Sequence, residues 1–236
     1  MLKKAIPFAL MLMTTGCSVT TQLYTTVDSR KGFAPQSKEL IAKSEAIGAK
    51  YNSPVLIQIF KEEHELDLWR MNENHQYVLI NRFEICRFSG DLGPKLKQGD
   101  RQAPEGIYSV SSEQLNYHSV EYLSFDTGYP NAYDRAHGRT GASLMVHGGC
   151  SSAGCYAIND APMQDLFAAV RDSLKAGQQS VQLQIYPFRM TTMNMLQYRE
   201  NKNLNFWNQL KVVYDKFEQT KQEVRVAVID RKYVVK

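Results

Sequence analysis

His147 and Cys155 stand eight residues apart in His147-Gly148-Gly149-Cys150-Ser151-Ser152-Ala153-Gly154-Cys155-Tyr156, the densest cluster of reactive side chains in the chain. A thiol attacks as the thiolate, and at neutral pH it needs a neighbouring base or positive charge to ionise. An imidazole within hydrogen-bond reach is such a base, and eight residues are enough if the loop folds back on itself. Gly148, Gly149 and Gly154 permit tight turns and a close backbone approach to a ligand. The N–H groups of Gly154 and Cys155 are then candidate donors to a developing oxyanion. The residues alone leave two plainer readings open. Cys155 can be a small buried apolar residue and His147 a hydrogen-bonded loop histidine. Alternatively, His147, Cys150 and Cys155 can be three zinc ligands, although no Cys-x-x-Cys spacing is present and His137 is the nearest candidate for a fourth.

Elements that would position this segment are readable on both sides of it. Ser143 to Val146 is a short apolar strand running into His147. Residues 158 to 175 fit a helix capped by Asn159 or Asp160, with Pro162 in the first turn and Leu166, Phe167, Val170 and Leu174 on one face. Upstream, Val55 to Phe60 and Leu66 to Trp69 read as strands joined by a turn over Lys61 to Glu65. Tyr77 to Ile80 and Phe83 to Phe88 continue the meander, Gly90 to Pro104 is a loop, and Ile107 to Val110 and Tyr122 to Phe125 are further strands. Ser37 caps a short helix running to about Tyr51. Val181 to Tyr186 is a late strand, Leu204 to Lys221 an amphipathic helix, and Val224 to Val235 a hairpin around Asp230-Arg231. Trp69 and Trp207 lie on apolar faces and are expected in the core. His64, His75 and His118 lie in polar turns and are expected to be exposed. The sum is an α+β fold, β-rich, with mainly antiparallel strands and peripheral helices.

With 43% hydrophobic and 22% charged residues the chain is an ordinary globular one, which excludes wholesale disorder. The net charge of +4 contains no run of five or six Lys/Arg, so a nucleic-acid partner is not indicated. Lys3 and Lys4 precede an apolar run, Ala5 to Met13, too short to span a bilayer of roughly 30 Å as a helix. It reads as a secretory signal. Thr14-Thr15-Gly16-Cys17-Ser18 resembles the processing box of bacterial lipoproteins, with Thr14 where Leu, Val or Ile is usual. Cys17 is therefore expected to carry lipid, the plainer alternative being ordinary signal cleavage nearby, and with lipidation Ser18 resembles outer-membrane sorting. That places the protein in the periplasm of a Gram-negative cell, anchored to the outer membrane, an oxidising setting for cysteines. With Cys17 acylated, Cys86, Cys150 and Cys155 remain, an odd number, and a Cys86–Cys150 disulfide would leave Cys155 free. The expected division is a signal and lipoprotein box over 1–17, a tether and short helix over 18–52, a catalytic domain over 53–190, and a C-terminal helix and hairpin over 191–236.

Val146-His147-Gly148 followed by Ser152-Ala153-Gly154-Cys155 resembles the active-site signature of the L,D-transpeptidases with a YkuD-type catalytic domain, a His-Gly after a strand and then Ser/Thr-x-Gly-Cys. Gly99 to Tyr108 is similar to the family's Thr-Pro-x-Gly-x-Phe stretch. The resemblance is closer still to the YafK-like branch. It runs through Ile57 to Glu63, Leu92 to Lys95, Pro130 to Gly138, Gly154 to Ala157 and Tyr186 to Thr191, and spans residues 53 to 235.

The resemblance implies a β-rich catalytic domain without a cofactor or metal. Its thiolate is acylated by a peptidoglycan stem peptide at the L-centre of diaminopimelate. By position Cys155 is the nucleophile, His147 the base, Gly154 an oxyanion donor through its backbone, and Ser152 part of the motif. Tyr133, Arg135, His137 and Arg189 are expected to bind substrate. Arg135 or Arg189 would fork a diaminopimelate carboxylate, the plainer alternative being an ion pair with Asp134. The loop before Cys155 is shorter than the family's norm, which keeps His137 as an alternative base. Ala153 and Ala157 replace polar residues usual beside the nucleophile. The branch shares these departures and is associated with hydrolysis, releasing a murein-linked outer-membrane lipoprotein from diaminopimelate. Three functions follow. One is that hydrolase, and the second is a transpeptidase using the same acyl-enzyme with an amine acceptor. The third is a non-catalytic wall-binding lipoprotein, against which the intact His147/Cys155 pair argues.

Overall fold

Val55–Phe60 is an apolar run broken by Gln58, and Val181–Tyr186 alternates Gln182 and Gln184 with apolar residues, yet both are buried at every position, the mark of strands covered on two faces. The computed structural model describes residues 29–236, so the leader and Cys17 lie outside the described residues. In chain order the elements are α1 (Lys38–Ala46), β1 (Val55–Phe60), β2 (Glu65–Met71), β3 (Tyr77–Glu84), β4 (Arg87–Phe88), β5 (Gly106–Val110), β6 (Leu115–Asn116), β7 (Ser124–Asp126) and α2 (Ala132–Ala136). They continue with β8 (Met145–His147), β9 (Tyr156–Ala157), α3 (Asp160–Lys175), β10 (Val181–Tyr186), α4 (Thr192–Gln197), α5 (Leu204–Thr220), β11 (Val226–Ile229) and β12 (Lys232–Val235). No helix among the described residues is long and apolar enough to cross a membrane.

Two five-stranded sheets result, β3-β2-β1-β10-β5 and β4-β9-β8-β7-β6, plus the β11-β12 hairpin. All pairings are antiparallel except β1 with β10 and β8 with β9. The fold is the mixed, β-rich α+β arrangement read from the sequence. The main core lies between the sheets and α3: Ile57, Ile59, Leu66 and Leu68 meet Phe125, Val146 and Tyr156, with Leu166, Phe167 and Val170 of the helix. The opposite face of the first sheet is covered by α5, where Trp69 packs on Phe217 and Phe60 and Tyr186 join Trp207 and Leu210.

From Ser29 onward the segment expected as a tether is instead docked. Phe33 stacks on Tyr117, Arg171 donates to the carbonyls of Gly32 and Ala34, and Gln36 bridges Arg70 and Asp172. The Ser37-capped helix stops at Ala46 rather than near Tyr51, with Gly48 at φ +70° just beyond it.

The Gly/Pro-bearing loop before β5 is ordered by a buried ion pair. Lys61, fully buried, donates from Nζ to the carbonyls of Asp91, Gly93 and Ala103 and to Glu105 Oε1 at 3.1 Å. Glu105 also accepts from Gly93 N–H and from Trp207 Nε1. Burial pulls the Lys61 ammonium down, and the charge of Glu105 opposes that pull. The same loop meets the β9 strand where Tyr156 Oη donates to Pro104 O at 2.6 Å. Lys61→Met leaves Glu105 buried without a counter-charge and is expected to cost about 3–5 kcal/mol in urea unfolding. Lys61→Met with Glu105→Gln should lose much less, and equal losses would contradict the ion-pair account.

Candidate active site

Strand alternation divides the second sheet into two faces. Leu115 pairs Phe125, Phe125 pairs Val146, and Val146 pairs Tyr156, a row that packs into the core. One residue further along, Asn116 pairs Ser124, Ser124 pairs His147, and His147 pairs Ala157. This second row lies on the opposite face, where Asn116, Ser124 and His147 border a cleft although Ser124 and His147 are largely covered. Cys155 precedes Tyr156 and so shares that face beside Met145, whose N–H donates to its Sγ at 3.4 Å. His147 and Cys155 are thus diagonal neighbours on adjacent strands, a spacing that long side chains can bridge. They open into one cleft of about 600 Å³. Asn116, Ser124, Met145, His147 and Cys155 form its floor, His118 to Glu121 one wall, and Ser151 to Ala153 the other.

The loop between β8 and β9 returns the chain to a parallel start in eight residues, where a dozen or more are usual. Gly148 N–H donates to Leu123 O and Gly149 N–H to Asp160 Oδ1 at the start of α3. Cys150 is joined to Cys86 by a disulfide with Cα atoms 5.8 Å apart. Ser152 Oγ donates to Cys155 O at 2.8 Å, contacts Ser89 Oγ at 3.2 Å, and accepts the Gly154 N–H at 3.3 Å. Gly149 has φ +67° and Gly154 φ +128°, which side chains disfavour, and a Cβ at Gly149 would come within 2.6 Å of Glu121 Oε2.

The disulfide leaves Cys155 as the free thiol among the described residues and removes Cys150 from the three-ligand zinc set. No group of three metal-ligating side chains lies together among the described residues. His147 is buried, and its Nδ1 lies 2.6 Å from Gly148 O. A carbonyl only accepts, so Nδ1 carries the proton and Nε2 is the basic nitrogen. Burial pushes the Cys155 thiol up. The Met145 N–H opposes that, the charges of Asp126 and Glu121 add to it, and Lys95 offsets part of it. These surroundings favour the neutral thiol over a resting thiolate.

The four residues expected to bind substrate do not line this cleft. Tyr133 is buried between the rings of Tyr233 and His137, at 4.3 and 4.1 Å. His137 follows α2 with Nδ1 against Tyr133 O. Arg135 donates to Pro130 O and borders a separate groove with Tyr108 and Asn131. Arg189 pairs with Glu65 and Asp67 above the Phe60 ring. Asp134 pairs with Arg139 rather than Arg135 or Arg189. The reason is topological. The Tyr133 and Phe60 cluster belongs to the α5 side of the first sheet, whereas Cys155 opens on the outer face of the second. His118 is exposed, as read, but lies on the cleft wall with Glu121. Neither stood out in the sequence, because only the pairing of β6 with β7 carries that loop to the cleft.

No protein-family model matches the chain. Two Escherichia coli proteins, from strains K12 and O157:H7 and both named as candidate L,D-transpeptidase YafK, are each 48% identical to it over 208 residues, 88% of this chain and 81% of theirs. Among solved structures, the helical cell shape determining protein Pgp2 of Campylobacter jejuni is 16% identical with TM-score 0.46, over 81% of this chain and 80% of that one. Bd1075 of Bdellovibrio bacteriovorus is 18% identical with TM-score 0.39, over 78% and 77%.

The raised thiol has a consequence for stability. Below the free-thiol pKa of about 8.5, Cys155 is neutral in both folded and unfolded chains. Above it the unfolded chain ionises first, so wild type loses stability relative to Cys155→Ala until the pH passes the raised folded value. Urea unfolding of both proteins between pH 7 and 10 should show the curves diverging on the alkaline side only. Parallel curves would contradict the burial effect.

Proposed function

The chain belongs to the L,D-transpeptidase family, and on that premise we propose that it is a peptidoglycan-acting cysteine enzyme acylated at Cys155 by a stem peptide. The observation that carries this reading is the single cleft face shared by Cys155 and His147, with His147 held in the tautomer that points its basic nitrogen away from Gly148 O. The name of the Escherichia coli relatives supports the reaction class.

His147 Nε2 takes the thiol proton as Cys155 Sγ attacks the carbonyl carbon at the L-centre of diaminopimelate. The tetrahedral oxyanion is received by the N–H groups of Gly154 and Cys155, the former giving up its long 3.3 Å bond to Ser152 Oγ. Collapse breaks the amide C–N bond, and the His147 proton goes to the leaving amine, leaving a thioester. Water that loses its proton to His147 then adds to the thioester, and the thiol and a free carboxylate are restored. Hydrolysis rather than cross-linking is favoured by the short 148–155 loop, which offers little wall for a second stem peptide, and by Ala153 on the cleft surface. The leaving amine in this reading is the terminal lysine of an outer-membrane lipoprotein attached to murein. The enzyme itself is exported and lipid-anchored through Cys17.

Digestion of lipoprotein-bearing sacculi tests this. The expected products, identified by mass, are lipoprotein without muropeptide on its terminal lysine and tripeptide stems. New diaminopimelate–diaminopimelate cross-links with no lipoprotein released would replace hydrolysis by transpeptidation. Cys155→Ala is expected to abolish turnover while folding normally, and His147→Gln to lower kcat by about 10²–10⁴. Activity of Cys155→Ala within about tenfold of wild type, roughly 1.4 kcal/mol in the barrier, would remove the nucleophile assignment.

A further inference from the structure

Among the described residues, Glu121 is the one with a fixed formal charge at neutral pH that lines the Cys155 cleft, and no described Lys or Arg lines it. It forms no ion pair with a described residue. Its side-chain contact is one long hydrogen bond, accepted by Oε1 from Ser151 Oγ at 3.3 Å. The carboxylate is nonetheless a placed group. Its own N–H donates to Ser119 Oγ at 3.1 Å, and the absence of a side chain at Gly149 makes room for Oε2. The two walls of the cleft therefore meet at a half-buried carboxylate that has no counter-ion among the described residues.

For the chemistry of a thiol this carboxylate is unfavourable. With Asp126 it raises the cost of ionising Cys155, against Lys95 and the Met145 N–H. The other titratable groups facing the cleft are His118 and His147. A carboxylate that hinders the free enzyme becomes useful when the ligand brings the missing positive charge.

We propose that Glu121 is a recognition site for a primary ammonium group of the substrate. The inference rests on the stem-peptide reading above and deepens it. Diaminopimelate acylated at its L-centre carries a free ammonium and a free carboxylate at its D-centre. With no Lys or Arg lining the cleft, the ammonium is the member of that pair matched in charge. Seating it on Glu121 also cancels the carboxylate's field at Sγ, so that substrate binding and removal of the thiol proton are coupled. A charge-assisted hydrogen bond of this kind fixes the arm of the substrate while leaving the carbonyl free for attack.

The test uses the full chain and two synthetic stem peptides, one with a free D-centre amine and one acetylated there. In the Cys155→Ala background, calorimetry should show the free-amine peptide bound about tenfold more tightly, a difference of about 1.4 kcal/mol. Glu121→Gln in that background should bind both peptides alike, and Glu121→Asp should keep part of the preference. With Cys155 intact, Glu121→Gln should raise KM for the free-amine peptide more than it lowers kcat, and should shift alkylation of the thiol by iodoacetamide to lower pH. A Glu121→Gln protein that keeps the full preference overturns the site. So does turnover of both peptides by wild type at equal kcat/KM, which leaves the enzyme reading intact. A preference that depends on Glu121 without turnover of either peptide supports the ammonium site and defeats the stem-peptide hydrolase reading instead.

Discussion

Everything in the candidate site depends on one parallel pairing, β8 with β9, closed by a loop of eight residues. That pairing sets Val146 against Tyr156 in the core and puts His147 and Cys155 on the same outward face. A slip of one residue would exchange the faces and turn His147 and Cys155 away from the cleft into the core. A connection this short between parallel strands cannot be held by its own ladder, which is only two residues long. It is held from outside by Asp160 on Gly149 and by the bond from Cys150 to Cys86, and from within by Ser152 on Cys155. In a chain-entropy model, a crosslink spanning 64 residues removes about 4 kcal/mol of freedom from the unfolded chain. Its other end lies between β3 and β4, so the same bond joins the loop to the point where the chain passes from one sheet to the other.

The second constraint is electrostatic. Cys155 is partly buried beside two acidic residues, which favours the thiol, and the N–H of Met145 compensates only in part. The imidazole of His147 is oriented by a backbone carbonyl rather than by a carboxylate. The resting site is quiet, and in the proposed cycle the reactive form arises with the substrate in place.

Beneath the cleft, polar groups are buried in linked sets. Lys61, Glu105 and the indole of Trp207 link the loop under β9 to α5, and the phenol of Tyr156 ties that loop to the strand that follows Cys155. Gln58, Gln184 and Gln182 bond in succession along the first sheet, a set left open at Gln58 Oε1, which has no partner among the described residues. These groups cost desolvation wherever they lack partners. Their service is to give otherwise irregular segments one geometry, and the site inherits its position from that geometry.

The sequence by itself determined the elements whose signals are local. The strands β1 and β10, the stripe of α3 behind its Asn159 and Asp160 start, the α5 face carrying Phe206, Trp207, Leu210, Val213 and Phe217, and the overall α+β class were all legible in the spacing of apolar residues. The His147 to Cys155 segment was legible too, because its glycines and reactive side chains crowd into ten residues. Only the tertiary structure decided what faces that segment. β6 and β9 are two residues long, too short to show any period, and their partners lie far along the chain or run parallel to them. Glu121 and His118 thereby reach the cleft from a loop that reads as ordinary polar surface. Tyr133, Arg135, His137 and Arg189 are carried to the far side of the first sheet, where aromatic stacking and the Glu65 and Asp67 carboxylates engage them. Local pattern states which residues want burial; which sheet supplies it, and therefore which way each neighbour points, is settled by contacts between strands distant in sequence.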